Sequence, residues 1–192
     1  TSWDMARFES CGQKWMDLSE GHYGVSLIND CKYGHSVKDS NMALTLIKSG
    51  IEPNPVTDQE EHYFTYALYP HEGNLRDCDT VRESYRLNYP ARSVLKGTPG
   101  SCESLFSIDK KNVMAETVKA AEDGDGIIIR VYEYENTKTR ARLTFGMDKK
   151  IKSICECNLT EEVMEEPGEH EKDRFSFTIQ PYEIKTFKVI FC

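Results

Sequence analysis

The sequence predicts an all-β chain in two units, with one short helix. Three observations carry this reading. Apolar and aromatic residues alternate with period two in one short segment after another. A Gly-, Pro- and Ser-rich stretch breaks the pattern near its middle. A single segment carries helix-start chemistry, so a parallel α/β sheet has no crossover helices to be built from.

Taken in order, Tyr23, Val25 and Leu27 alternate against Gly24, Ser26 and Ile28, predicting a strand over 23–28. Met42, Leu44 and Leu46 repeat the pattern over 42–47, and Phe64, Tyr66 and Leu68 over 64–69. Between these last two, the prolines Pro53 and Pro55 and a run of acids predict a long connection. Thr80 and Glu83 have capping-box spacing, and Asn88 and Pro90 stop the helix, which is expected over 81–87. The linker is placed at 93–104, dividing a first unit at 1–92 from a second at 105–192. Seven strands are expected in the second unit, around 105–108, 113–120, 127–134, 140–145, 151–158, 175–179 and 184–191. Turn residues at 123–126, 135–137 and 146–148 separate several of them. Seven alternating strands in so short a span predict an immunoglobulin-like β-sandwich.

Composition bounds the function. Hydrophobic residues make up 39% and charged residues 29%, which suits a globular fold. The net charge of −8 disfavours nucleic acid as a partner. No apolar run approaches the ~18 residues of a membrane span, and the first residues, TSWDMARFE, show no secretory leader. The chain reads as a fragment of a longer protein. Much of the negative charge crowds into 161–173, expected to be a solvated loop, since the alternating carboxylates of a calcium loop are missing. Seven cysteines is an odd count for a disulfide scaffold and points to free thiols and a cytoplasmic setting. Cys155 and Cys157 face one side of a strand, but no second pair at zinc spacing follows, so no metal site is expected here. Of the five histidines, His22, His62, His71 and His170 read as turn or surface residues. His35 is set apart by its neighbours.

Those neighbours form the most informative stretch. A strand at 23–28 runs directly into Asn29, Asp30, Lys32, Tyr33 and His35. Polar, ionisable and aromatic groups at the end of a rigid strand are placed for binding. The whole run, KWMDLSEGHYGVSLINDCKYGHS over 14–36, resembles the C-terminal region of glycoside hydrolase family 38 α-mannosidases, in particular the cytosolic and bacterial subgroup. The resemblance returns at FTYALYPHEG over 64–73, YRLNYP over 85–90 and FSFTIQPYEIKTF over 175–187.

The resemblance implies that 1–92 is the closing part of a large antiparallel β-sandwich and 105–192 a small terminal one. It implies a parent that removes terminal α-linked mannose from oligosaccharides with retention, using two carboxylates and a zinc ion. All of that machinery would sit in a preceding catalytic domain, so this chain carries no catalytic residue and no cofactor of its own. Its partners would be that catalytic domain, a mannose-containing oligosaccharide and further copies in a homo-oligomer. In related enzymes a basic residue after the corresponding strand lies near the sugar; the matching position here is close to Lys32, where other subgroups carry arginines. Asn29, Asp30, Lys32, Tyr33 and His35 are therefore candidates for the rim of the sugar site. The competing reading of this loop is a turn held by Asn29 and Asp30, with Lys32 solvated. Two further alternatives for the chain are an independent carbohydrate-binding module, for which the ten tyrosines speak, and an oligomerisation domain without a ligand.

Overall fold

The computed structural model describes residues 1–3, 9–93, 104–146, 150–164 and 168–192. Most of the proposed linker, at 94–103, lies outside the described residues, as do Glu165, Glu166 and Pro167 of the acidic stretch and 147–148 of one predicted turn. The chain divides into two compact units, Thr1–Leu95 and Lys96–Cys192.

The second unit is a two-sheet sandwich. Its strands are β7 (Phe106–Ile108), β8 (Val113–Ala120), β9 (Ile127–Glu133), β10 (Thr139–Phe145), β11 (Ile151–Cys157), β12 (Arg174–Ile179) and β13 (Ile184–Phe191). They pair antiparallel in the orders β12-β10-β7 and β11-β13-β9-β8. The count of seven, split three and four, is that of an immunoglobulin constant-type sandwich, with its own pairing order. Alternation explains the core. Ala141, Leu143 and Phe145 on β10 and Phe175, Phe177 and Ile179 on β12 point inward. They meet Ile129 and Val131 on β9 and Phe187 and Val189 on β13. Phe175, Phe177 and Phe187 form an aromatic triangle with centroids 4.8 to 5.9 Å apart, close enough to add to plain burial. Gly126, between β8 and β9, has φ +89, and a Cβ there would meet the Val189 carbonyl at 2.3 Å, so only glycine fits that turn.

One polar residue is built into an end of this sandwich. Glu133 is 2% exposed. Its carboxylate accepts from Asn112 Nδ2 at 2.8 Å, Glu135 N–H at 2.7 Å and Tyr182 N–H at 3.0 Å. Burial acts to raise its pKa, but these donors outweigh burial and hold it below the usual carboxylate value. One side chain thus ties the β9–β10 turn to the β12–β13 turn.

Among the described residues, the first unit has two small sheets and the helix α1 (Thr80–Asn88); its strands are β1 (Glu9–Cys11), β2 (Trp15–Glu20), β3 (Tyr23–Asn29), β4 (Gly34–Lys38), β5 (Asn41–Leu44) and β6 (Tyr66–Glu72). The sheets run β2-β3-β6 and β1-β4-β5, all antiparallel. Strand β5 stops at Leu44, short of the expected 47, and β6 starts two residues late and continues through Pro70 and His71. Pro70 is tolerated because β6 is at the edge of its sheet.

The two faces of the β2-β3-β6 sheet differ in kind. One bears Asp17, Ser26, Ile28 and His71 and is covered by α1. Here Asp17 Oδ1 accepts from Ser26 Oγ at 2.6 Å and contacts His71 Nε2 at 2.7 Å. Ser26 Oγ also meets Thr80 Oγ1 of α1 at 2.5 Å, and Thr80 meets Cys78 Sγ at 3.0 Å. His71 is therefore not the turn residue its Pro-His-Glu-Gly context suggested: it is 9% exposed and paired opposite Gly24. A Cβ at Gly24 would lie 2.3 Å from the ring, so the glycine makes room for the histidine. Thr80, expected as a capping residue, is instead the first helical residue, and its hydroxyl serves this buried network; the cap position is Asp79, without a side-chain cap bond. The other face carries Leu18, Val25, Leu27, Tyr66 and Leu68. Tyr66 and Leu68 are 54% and 66% exposed, and a groove of about 670 Å³ opens between this face and the β4–β5 turn.

Candidate functional site

The site is built at the C-terminal end of β3. Residues 29–35 are not one free loop. Asn29 closes β3, Gly34 and His35 open β4, and only Asp30, Cys31, Lys32 and Tyr33 lie between. The strand ends there because Asn29 spends every hydrogen-bonding group it has. Its N–H donates to the Lys14 carbonyl at 2.9 Å, and its carbonyl accepts from Asn88 Nδ2 of α1 at 3.0 Å. Its Oδ1 accepts the Lys32 N–H at 2.7 Å, and its Nδ2 faces His35 Nε2 at 3.3 Å.

The five candidates separate into two layers. Asn29 and His35 are buried, at 1% and 5% exposure, and lie behind the loop. His35 Nδ1 contacts the Tyr33 carbonyl at 3.1 Å, which also accepts from Gly12 N–H at 3.0 Å. The tautomer that serves both contacts carries its proton on Nδ1 and accepts from Asn29 on Nε2. Asp30, Lys32 and Tyr33 form the outer layer. Asp30 Oδ1 accepts the Thr65 N–H at 2.9 Å, and its own N–H donates to the Thr65 carbonyl at 3.2 Å. Burial acts to raise the Asp30 pKa, but bonds from the Thr65 N–H, the Cys31 thiol and the Thr65 hydroxyl lower it overall. The bond to Asp30 in turn raises the pKa of Cys31, keeping an exposed thiol protonated.

Lys32 places its ammonium 4.7 Å from the centroid of Phe64, whose ring stacks on Tyr66 with centroids 6.4 Å apart. Tyr33 is half-exposed and lines a groove of about 420 Å³ with Glu9, Cys11, His35 and Lys48. A carboxylate, an ammonium and accessible rings on one fixed edge can hydrogen-bond hydroxyls and stack on a flat apolar face. Sequence reasoning missed Phe64 and Thr65 as partners of the loop. Their segment resembles the same family, which was the available signal.

Among the described residues, no three His, Cys, Asp or Glu side chains converge to hold a metal ion. Six cysteines, Cys11, Cys31, Cys78, Cys155, Cys157 and Cys192, are free thiols. Among the described residues, no helix is long and apolar enough to cross a membrane. The described part of the acidic stretch is largely solvated, with Glu162, Glu169 and Glu171 exposed, but parts of it are tied down. Glu161 pairs with Lys119 at 2.7 Å and accepts the Glu122 N–H at 2.8 Å, and Glu162 accepts from Asn158 Nδ2 at 2.7 Å.

A β-sandwich preceded by a smaller sheet-and-helix unit defines a two-unit, all-β chain that displays polar groups from a strand end. Residues 1–56 match the Glycosyl hydrolases family 38 C-terminal domain, and residues 112–187 match the Glycosyl hydrolases family 38 C-terminal beta sandwich domain. The chain belongs to the C-terminal region of glycosyl hydrolase family 38. It is 40% identical to Alpha-mannosidase G of Dictyostelium discoideum over 99% of its own length and 18% of that protein's. It is 34% identical to human Alpha-mannosidase 2C1, again over 99% of the chain and 19% of the relative. Identity to the Alpha-mannosidase of Saccharomyces cerevisiae is 32%, over all of the chain and 20% of the relative. The chain thus spans about a fifth of the length of these relatives. Its fold resembles a family 38 protein from Enterococcus faecalis, with a TM-score of 0.71 and 17% identity over 94% of this chain and 22% of that one. An alpha-mannosidase from Enterococcus faecalis V583 is similar at TM-score 0.70, with 19% identity over 94% of this chain and 21% of that one.

Proposed function

We propose that this chain is the non-catalytic C-terminal β region of an α-mannosidase that removes terminal α-linked mannose from oligosaccharides in the cytoplasm. The catalytic carboxylates and zinc would belong to the rest of the parent polypeptide. Here the first unit would pack against that remainder, and Asp30, Lys32 and Tyr33 would complete the rim of its sugar site. Asn29 and His35 would hold that rim from behind. Homo-oligomer assembly would use the same C-terminal region.

The observation that carries this reading is the uncovered apolar face of the β2-β3-β6 sheet. Tyr23, Tyr66 and Leu68 are more than half exposed beside a groove walled by Leu18, Val25 and Leu27. An apolar face of this kind marks an interaction surface, and about four-fifths of the length of these relatives lies outside the matched region and could cover it. Leu68→Glu tests it in two settings. In this chain by itself the change should move stability by no more than about 0.5 kcal/mol, because the side chain is exposed. In the intact parent it should lower the thermal midpoint and activity together. An intact parent indifferent to the change would overturn the packing role.

The half-exposed tyrosines keep a second reading open, that of a carbohydrate-binding module acting alone. Calorimetry with mannose oligosaccharides separates the two: heat of binding from this chain without its parent would favour the module.

A further inference from the structure

Asn29 is fully buried, yet it is the residue on which the exposed loop is hung. It closes four contacts at once, to Lys14 before β2, Asn88 of α1, Lys32 of the loop and His35 of β4. Three of these partners are far from the loop in sequence or belong to other elements. The fourth is the backbone of Lys32 itself. We propose that Asn29 is the positioning residue of the rim: its amide, oriented by His35 and backed by Asn88, sets where the Lys32 ammonium and the Tyr33 ring point. The proposal rests on the rim reading above and adds to it a residue that touches no sugar.

The geometry makes the claim specific to an amide. Oδ1 must accept the Lys32 N–H, and Nδ2 must donate to a neutral His35 whose proton sits on Nδ1. Serine lacks the second arm, and aspartate offers an acceptor where a donor is needed. Asn29→Asp puts a carboxylate oxygen where Nδ2 stood and so loses the donor toward His35 Nε2.

The test compares kcat and KM of native, Lys32→Ala, Asn29→Asp and double-variant forms of the intact parent enzyme with an aryl α-mannoside. Asn29→Asp should lower kcat/KM about tenfold or more, the scale of a misplaced positioning group. Adding Lys32→Ala to Asn29→Asp should cost little more, because the ammonium is already out of place, whereas a merely structural loss would add to that of Lys32→Ala. Native-like kcat/KM in Asn29→Asp, or losses in the two variants that simply add, while Lys32→Ala by itself loses activity, overturns the positioning role and leaves the rim standing. Full kcat/KM in Lys32→Ala removes the rim and this proposal with it. Should Asn29→Asp fail to accumulate, Asn88→Ala carries the test by releasing the Asn29 carbonyl. A loss of about threefold that vanishes in the Lys32→Ala background supports the proposal, and no loss overturns it.

Discussion

At the scale of single residues, the chain uses buried polar side chains as fasteners and exposed ones as display. Glu133 is the clearest fastener. Its pKa is lowered in the folded chain, so its contribution to stability is fully present above the unfolded carboxylate value. That contribution is lost as the pH falls through the folded value, from about pH 4.5 downward. Glu133→Gln keeps the shape but sets an NH2 against N–H donors. It should cost about 1–3 kcal/mol at neutral pH, and the loss should shrink as both proteins are acidified. Thermal melts between neutrality and acid check this; a penalty independent of pH would show that ionised Glu133 is not the fastener. Lys32 is the display counterpart. Lys32→Ala should lower kcat/KM of the intact parent by roughly tenfold to a hundredfold, the worth of a charged hydrogen bond. It should change stability by no more than about 1 kcal/mol, the worth of its contact with Phe64. Full activity would make the loop a turn and nothing more.

At the scale of elements, α1 shows where sequence patterns run out. Its extent was legible to within a residue at each end, from Thr80, Glu83 and the stop at Asn88 and Pro90. Its purpose was not, because capping rules describe a helix end and not what a sheet needs buried. Thr80 answers to Ser26, 54 residues away, and no local window contains that pair. The same blindness put His71 in a turn: the Pro-His-Glu-Gly pattern is turn chemistry, but pairing with β3 overrode it. Strands β1, β2 and β4 escaped notice because they are short or carry polar residues on the face that α1 covers. Two substitutions test the helix-on-sheet account by melting. Gly24→Ala drives a methyl into His71 and Ser19 and should cost about 1–3 kcal/mol. Thr80→Val removes the hydroxyl contacts to Ser26 and Cys78 and should cost about 1–2 kcal/mol. An unchanged midpoint in both would mean that α1 is not held by this network.

At the scale of the whole molecule, the two units are stabilised differently. The seven strands described in the second unit were readable from their apolar residues, most cleanly in β10 and β12, which alternate between a buried face and a more exposed one. The central β9 and β13 are covered on both faces over much of their length. The first unit was less legible, since one face of its sheet is polar and covered and the other is apolar and open. Hydrogen exchange should therefore be slowest in the central strands Ile127–Glu133 and Ile184–Phe191 and faster throughout β2, β3 and β6; the reverse order would contradict the contrast between the units. The likeness to family 38 was legible from short stretches spread across both units, while the division of the candidate loop into a buried and a displayed layer needed the fold.

The most direct test of the central claim is turnover of an aryl α-mannoside, with and without added zinc, by this chain and by the intact parent, each purified to homogeneity. The account predicts hydrolysis by the parent and none by the chain. Activity that follows this chain through purification, or an intact parent that leaves α-mannosides untouched, would contradict it.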